Sequence, residues 1–237
     1  INAGGAGCAI DKSGTRTNWS SAGKAAYSSP YAVTMGGKRT IAIAGDSSVS
    51  GVNPADGGVL WYFKMISGTM LDPIVSGSRV WASKANDSSM VGSMMVDITG
   101  DGQSTNLVWN NTRTGNGLNS SVLLDGHLYG IGSIDGLFCT DLATGNKVWA
   151  GTNDNVRLSP YGGLLLAKDQ LVVACDNFGK GELVVAQATP AGYSEVHRAT
   201  NIVAGLIWTA PTLANGKLYI RTHEGTVIAY DVSGSMK

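Results

Sequence analysis

Short apolar stretches recur along the chain, alternating with polar residues and bounded by glycine, asparagine or aspartate. Residues 40–44 read Thr-Ile-Ala-Ile-Ala, residues 170–174 read Gln-Leu-Val-Val-Ala, and residues 217–221 read Lys-Leu-Tyr-Ile-Arg. Apolar positions with a period near two between such turn residues predict β-strands. A shorter apolar stretch and a tight turn precede each of them, so the pattern predicts a series of β-hairpins.

The hairpins recur at a regular spacing. Their turns lie at Gly37, Gly77, Gly126 and Gly216, with Gln170 in the equivalent place once, so the spacing is 40 to 49 residues. The pairs that introduce them are Ser29-Pro30, Asp72-Pro73, Ser120-Ser121, Ser159-Pro160 and Ala210-Pro211. Self-similarity at such a period is typical of repeat architectures. We label the two strands of each hairpin a and b.

A second motif completes each repeat. An aspartate or asparagine lies eight residues before a tryptophan in three copies: Asp11 to Trp19, Asn53 to Trp61, and Asp141 to Trp149. A looser copy runs from Asp97 to Trp109 with four extra residues. A glycine-bearing turn separates the two ends, which predicts a third strand c and a fourth strand d. Four strands in about 40 to 50 residues are typical of a β-propeller blade.

The sequence therefore predicts an all-β fold: a β-propeller of four-stranded antiparallel blades in a single domain over residues 1–237. About five blades and the end of another are expected. Residues 1–21 would end a preceding blade, and the successive blades would span 29–64, 72–112, 120–152, 159–200 and 208–232. The last of these segments supplies strands a, b and c, and no d strand follows Val232.

The segment from Asp141 through Gly145 to Trp149 resembles the tryptophan-docking repeat of pyrroloquinoline-quinone (PQQ)-type propellers. The segments Ser28-Ser-Pro30 and Trp208-Thr-Ala-Pro211 resemble the non-enzymatic PQQ-like proteins of bacteria, the BamB-like family. The resemblance covers nearly the whole chain. It implies docking roles for a set of residues in the c–d segments. These are Asp11, Trp19, Asn53, Trp61, Trp109, Asp141, Gly145 and Trp149.

That family usually closes eight blades, so two closures are open. In one, the d strand at residues 17–21 would complete the blade that ends at Val232 and so close a small ring. Alternatively, residues 1–21 would finish a blade that begins elsewhere, and the chain would be part of an eight-bladed ring. A duplicated c strand is hard to place in a closed ring, which favours the second arrangement. The chain's partners would then be the missing blades of the same propeller or a separate protein.

Composition and charge exclude several functional classes. Lys plus Arg and Asp plus Glu are 17 each, and the basic residues form no cluster, so no nucleic-acid surface is expected. No apolar run approaches the roughly 18 residues of a membrane helix. The only glutamates are Glu182, Glu195 and Glu224, beside 33 glycines, which agrees with strands and turns. Low charge with abundant Ser, Thr and Asn points to an exported protein, periplasmic or extracellular.

A catalytic set is not evident in the sequence. A quinoprotein oxidoreductase needs PQQ, a Ca²⁺ site and a carboxylate base, and the resembling enzymes place adjacent cysteines against the quinone. Cys8, Cys139 and Cys175 are far apart, so no cofactor is expected; three buried thiols or one disulfide remain open. Asp97 and Asp101 resemble the start of a calcium loop, but Val108 stands where the closing acid belongs. A hairpin explains the same residues.

The leading functional hypothesis is a non-catalytic binding or assembly scaffold in the bacterial cell envelope. Propellers bind on the face formed by the loops that enter strand a and those that join b to c. The candidate residues on that face are Tyr27, Ser29, Asp72, Asn119, Arg157, Trp208 and Arg221. The alternatives are a PQQ oxidoreductase or carbohydrate-active propeller, and a subunit or fragment of a larger complex.

Overall fold

A computed structural model describes residues 7–14, 17–21, 27–45, 47–65, 71–84, 92–154 and 158–234. These residues form 21 strands in six antiparallel sheets, with one short 3-10 turn at Gly151–Asp154. The predicted all-β class is confirmed. The strands group into two compact units: described residues up to Arg113 form unit 1, and those from Thr114 onward form unit 2.

Unit 1 holds one two-stranded and two four-stranded sheets. The two-stranded sheet is β1 (Gly7–Ile10) with β2 (Thr17–Ser21). The next is β3 (Tyr31–Met35), β4 (Lys38–Ala44), β5 (Ser48–Val52) and β6 (Val59–Lys64). The third is β7 (Ile74–Ser76), β8 (Arg79–Lys84), β9 (Gly92–Ile98) and β10 (Thr105–Asn111). Each four-stranded sheet pairs its strands in chain order, as predicted for strands a to d.

Unit 2 repeats this pattern. Its first sheet is β11 (Val122–Leu124), β12 (His127–Gly132), β13 (Gly136–Asp141) and β14 (Lys147–Ala150). Its second is β15 (Gly163–Ala167), β16 (Gln170–Asn177), β17 (Lys180–Gln187) and β18 (Glu195–Ala204). The third has three strands, β19 (Thr212–Ala214), β20 (Lys217–Arg221) and β21 (Val227–Asp231).

The repeated aspartate–tryptophan spacing sets a common register between the third and fourth strands. The tryptophans face the residue two positions before the repeated acid or amide. The facing pairs are Trp19 with Ala9, Trp61 with Gly51, Trp109 with Met95, and Trp149 with Cys139. A β-bulge adjoins each pair. Small residues in three of the four facing positions leave room for the indole.

Apolar side chains pack between neighbouring sheets within each unit. In unit 1 the buried cluster contains Trp61 with Val49 of the same sheet and Val80 and Met94 of the next. In unit 2, Tyr129 and Trp149 pack with residues of β16 and β17. Burial of sheet faces against one another is the main stabilising contribution expected for stacked sheets.

Candidate functional site

The turn between β13 and β14 is built around Asp141. Its Oδ1 accepts hydrogen bonds from the backbone N–H and the hydroxyl of Thr144, both at 2.7 Å. These bonds hold the pKa of the Asp141 carboxyl below its ordinary value. The Gly145 N–H donates to the Asp141 carbonyl at 2.9 Å, and Gly145 has φ +73°, which favours glycine. The motif therefore forms a tight turn that fixes where β14 begins and so where Trp149 lies in the sheet.

Trp149 joins two neighbouring sheets of unit 2. Its Nε1 donates to the carbonyl of Thr189, in the turn after β17, at 2.8 Å. Its ring lies between Tyr129 at 6.2 Å and Tyr193 at 6.1 Å between ring centroids. The indole thus ties the fourth strand of one sheet to the turn of the next, through one hydrogen bond and two aromatic contacts.

Trp19 makes the same connection in unit 1. Its Nε1 donates to the carbonyl of Pro54, in the turn between β5 and β6, at 2.8 Å. The ring lies over Gly57 of that turn, where an added Cβ would come within 2.5 Å of a ring carbon. Asn53 shapes this turn by accepting the Ala55 N–H on its Oδ1 at 3.0 Å. Turn and indole are therefore fitted to each other.

Trp61 shows that the spacing alone does not create such a bridge. It is 2% exposed, and its Nε1 has no hydrogen-bond partner in the described part of the chain. The indole instead lies over Gly51 of its own sheet, where an added Cβ would be 2.2 Å from Nε1. A docking role for Trp109, which is partly buried on β10, stays a prediction. Asp11 stabilises its own turn, accepting the Ser13 hydroxyl at 2.6 Å.

Replacing Gly57 with alanine should destabilise unit 1 more than the same change at Gly37. Both glycines have φ +75°, so both variants carry a backbone penalty of about 1 kcal/mol. Only Gly57 has the Trp19 ring against it, which adds about 1–3 kcal/mol of overpacking, whereas nothing lies within 4 Å of a Cβ at Gly37. Thermal unfolding of both variants checks this; equal losses would contradict docking of Trp19 on this turn.

Asn119 gathers three loops at one end of the sheets of unit 2. We call this end the loop face; there the chain enters the first strand of each sheet and turns from the second strand to the third. The Asn119 side-chain amide donates to the carbonyls of Tyr161 at 3.0 Å, Gly162 at 3.2 Å and Trp208 at 3.2 Å. The backbone carbonyl of Asn119 accepts a hydrogen bond from Asn116 Nδ2 at 2.7 Å. Two predicted binding residues, Asn119 and Trp208, are thus brought together.

A strip of three rings lies on the loop face. The Trp208 ring is 5.6 Å from the Tyr161 ring and 5.3 Å from the His223 ring between centroids. Trp208 remains 42% exposed although it touches both neighbours. We call Tyr161, Trp208 and His223 the aromatic strip. Of the three, only Trp208 was among the predicted binding residues, although Tyr161 directly follows Ser159-Pro160 and His223 lies two residues after Arg221.

Backbone bonds fix the loops that carry the strip. The His223 N–H donates to the Leu206 carbonyl at 2.8 Å, and the Gly205 N–H donates to the Gly179 carbonyl at 2.9 Å. The neighbouring Phe178 is fully exposed at the turn between β16 and β17. Arg221 is exposed, and its carbonyl accepts the Thr209 hydroxyl at 3.2 Å. The loop face therefore presents aromatic rings on loops that are held by hydrogen bonds.

The remaining predicted binding residues divide between unit 1 and an undescribed segment. In unit 1 the Ser29 N–H donates to Asp72 Oδ1 at 2.5 Å, joining the loops that enter β3 and β7. Tyr27 is 83% exposed beside them. Arg157 lies outside the described residues. Ser29 and Asp72 thus support one another, as Asn119 supports Trp208.

Asp97 and Asp101 take part in a hairpin. Asp101 Oδ1 accepts the Thr99 hydroxyl at 2.5 Å and the Gln103 N–H at 2.9 Å, which lowers the pKa of its carboxyl. Asp97 Oδ1 accepts the Ser78 hydroxyl at 2.6 Å. Within residues 7–234, as far as they are described, no three acidic, histidine or cysteine side chains are grouped to hold a metal. Both carboxylates thus take part in turn hydrogen bonds, and we propose no metal site here.

The three cysteines lie far apart in the sequence and form no adjacent pair. Cys139 and Cys175 are free thiols buried in β13 and β16, and Cys8 lies on β1. Burial raises the pKa of the Cys139 thiol to about 11 and that of the Cys175 thiol to about 12. Such thiols are inert small apolar residues.

An ion network that sequence reasoning missed lies on β17 and β18. The Arg198 guanidinium donates to Glu182 Oε1, to Glu195 Oε1 at 2.9 Å and to Glu195 Oε2 at 2.6 Å. The Glu182 side chain is 5% exposed, whereas those of Arg198 and Glu195 are about one third exposed, at 29% and 30%. The Tyr193 hydroxyl donates to Glu195 Oε2. The pairing of β17 with β18 brings Glu182 to Arg198, whereas Tyr193 and Glu195 lie within five residues of Arg198 in the sequence.

Comparison with known proteins identifies related folds. The sequence profile of a family described as outer membrane protein assembly factor BamB matches residues 2–151. No curated protein sequence matches the chain. BamB from Moraxella catarrhalis is 14% identical, with a TM-score of 0.53 over 97% of this chain and 92% of that one. These findings confirm the predicted β-propeller of mainly four-stranded antiparallel blades.

Two further structures share the fold. The computationally designed Ika8 protein is 12% identical, with a TM-score of 0.59 over 81% of this chain. The chain spans 55% of the length of Ika8. Quinohemoprotein alcohol dehydrogenase ADHIIG from Pseudomonas putida HK5 is 12% identical, with a TM-score of 0.56, over 89% of this chain and 41% of that one. Within the described ranges, no helix is long and apolar enough to cross a membrane.

Proposed function

Because the chain belongs to the family of the outer membrane protein assembly factor BamB, we propose that it is a non-catalytic β-propeller that binds a protein partner in the bacterial cell envelope. In the periplasm, the chain would be within reach of proteins at the outer membrane. A role as one subunit of a larger complex would use the same loop face of unit 2 to contact the other subunits.

The observation that carries the proposal is the aromatic strip. Exposed aromatic rings are the side chains that most often anchor protein interfaces, because they bury a large area with few rotatable bonds. Trp208 is held between Tyr161 and His223, so it loses little conformational freedom when a partner covers it. Asn119 fixes the backbone beneath Trp208 through its bond to that carbonyl. The strip is therefore arranged before binding.

Phe178 extends the apolar surface on the same face. Its side chain is fully exposed, and its φ of +52° is strained for a residue that is not glycine. A single exposed apolar side chain is ordinary, but one on the same face as an exposed aromatic strip enlarges a patch of the kind that marks interaction sites. We therefore place the edge of the partner's footprint at this turn.

The experiment that tests the proposal is site-specific photo-crosslinking in the native host. A benzoylphenylalanine at position 178 should give a discrete protein adduct, and the same group at Tyr62, 53% exposed on β6, serves as the control position. Trp208→Ala, introduced into the position-178 chain, should reduce the adduct by about tenfold or more, the scale of a lost interface anchor. Equal adducts at both positions, or an adduct unaffected by Trp208→Ala, would refute the proposed surface.

A further inference from the structure

A buried carboxylate without a partner lies at the loop-face end of β16. Asp176 is 8% exposed, and its Oδ1 accepts no hydrogen bond from the described part of the chain. None of the ion pairs among the described residues includes Asp176. A buried carboxylate is costly unless a cation or hydrogen-bond donors compensate its charge. Asp176 therefore points to a group that the described residues do not supply.

Strand pairing fixes the side of the sheet on which Asp176 lies. It pairs with Gly181 of β17, and paired residues project from the same side of a sheet. An added Cβ at Gly181 would lie 3.0 Å from Ile207 Cδ1. Ile207 is fully buried and directly precedes Trp208. The Asp176 side chain therefore lies on the side of β16 that faces the segment leading to Trp208.

A second carboxylate lies against the same segment. An added Cβ at Gly205 would come within 2.2 Å of Glu224 Oε2, so the Glu224 carboxylate covers this glycine. Backbone N–H groups, its own first, hold the pKa of the Glu224 carboxyl below its ordinary value, so it is charged at neutral pH. Two acidic groups thus lie beside residues 205–208, the segment that carries Trp208.

Two basic residues in the same strands do not neutralise these carboxylates. Side chains alternate between the two sides of a strand. Lys180 directly precedes Gly181 on β17, and Arg221 directly follows Ile220 on β20. Ile220 packs with Ile207 between the two sheets. By alternation, Lys180 and Arg221 lie on the opposite sides of their strands, and neither takes part in an ion pair within the described ranges.

We propose that the partner inserts an arginine side chain beside this segment, an inference that rests on the proposed function. The guanidinium would stack on Trp208, which is 42% exposed, and would donate to the carboxylates of Asp176 and Glu224. Arginine fits better than lysine because its planar group stacks on a ring and donates in several directions at once. We call Trp208, Asp176 and Glu224 the arginine site.

Titration of the full chain with N-acetyl-arginine N-methylamide tests the arginine site without the partner. The indole N–H signal of Trp208, identified by its loss in Trp208→Phe, should shift saturably in the NMR spectrum. A dissociation constant on the order of 1 mM is expected for a ligand of this size. The citrulline analogue keeps the shape without the charge and should bind at least about fivefold more weakly. No saturable shift, or equal binding of the two compounds, would overturn the proposal.

Asp176→Asn removes the charge with little change of shape. It should weaken binding of the arginine compound at least about fivefold. The variant should unfold at an equal or higher urea concentration than the wild type, because it removes an unpaired buried charge. Asp169→Asn is the matched control: it alters an exposed aspartate in the turn at the other end of β16 and should change binding less than twofold. A lower unfolding midpoint for Asp176→Asn, or equal effects of the two variants on binding, would overturn the proposal.

The photo-crosslink at position 178 separates this inference from the proposed function. Asp176→Asn, introduced into the position-178 chain, should reduce the adduct by about fivefold or more, and Asp169→Asn should change it less than twofold. An adduct that depends on Trp208 but not on Asp176 would keep the protein partner and refute the arginine anchor. If the position-178 chain gives no adduct, the proposed function fails, whereas saturable binding of the arginine compound would still support a guanidinium site.

Discussion

Arg198→Met is expected to destabilise unit 2 by about 3 kcal/mol at neutral pH, because it leaves a buried carboxylate without its cation. The Glu182 side chain is 5% exposed and accepts from the Arg198 guanidinium. The other neighbour of that carboxylate is the Cys175 thiol, with Sγ at 4.0 Å from Oε2, a weak donor. Glu195 loses less, because its side chain is 30% exposed and can be hydrated. The shift of the urea unfolding midpoint measures the loss.

The double variant Glu182→Leu/Arg198→Met separates charge from packing. It removes the buried carboxylate together with its cation, so most of the lost stability should return. A single variant within about 0.5 kcal/mol of the wild type, or a double variant no more stable than the single, would contradict the role of this pair.

Acid titration of the wild type adds a check on the second ion pair, between Arg198 and Glu195. The hydrogen bonds from Arg198 lower the pKa of Glu195 below its ordinary value of 4.5. The stabilisation by the Arg198–Glu195 ion pair is therefore present above pH 4.5 and is lost as the pH falls through the lowered pKa.

Trp149→Ala should cost about 3–5 kcal/mol, the usual range for removing a buried large aromatic side chain. The side chain is 7% exposed, packs against Tyr129 and Tyr193, and donates to the Thr189 carbonyl. Its loss opens a cavity between two sheets and leaves that carbonyl without its indole donor. Thermal and urea unfolding of the variant measure the effect.

Two variants control for the chemistry of the change at Trp149. Trp149→Phe keeps a ring and removes the N–H donor, and should cost about 1–2 kcal/mol. Trp208→Ala removes a tryptophan of the same unit that is 42% exposed, and should cost less than Trp149→Ala. If Trp149→Ala and Trp208→Ala were equally destabilising, docking of Trp149 between sheets would be wrong.

The repeats were readable from the sequence because each strand pair carries a local signal. Alternating apolar positions and glycine turns locate strands such as β4 and β20, since both depend on the chain's immediate neighbours. The spacing from Asp141 to Trp149 predicts the turn and the register of β14 for the same reason.

The candidate site was only partly predictable, because its residues meet through long-range pairing. Trp208 and Asn119 could be placed on the loop face from strand order, but Tyr161 and His223 join them only through the conformation of three separate loops. The group that accepts each indole N–H likewise depends on the neighbouring sheet. Trp19 and Trp149 donate across sheets, whereas Trp61, with equal spacing, is buried over Gly51. Sequence spacing does not encode that difference.

Native mass spectrometry of the gently purified protein and its Trp208→Ala variant tests the central claim most directly. If the chain is a binding scaffold whose partner covers the aromatic strip, the wild type will carry a second polypeptide noncovalently, and the variant will lose it while remaining folded. A wild type without a bound polypeptide, or a variant that retains the same polypeptide to the same extent, would contradict this account.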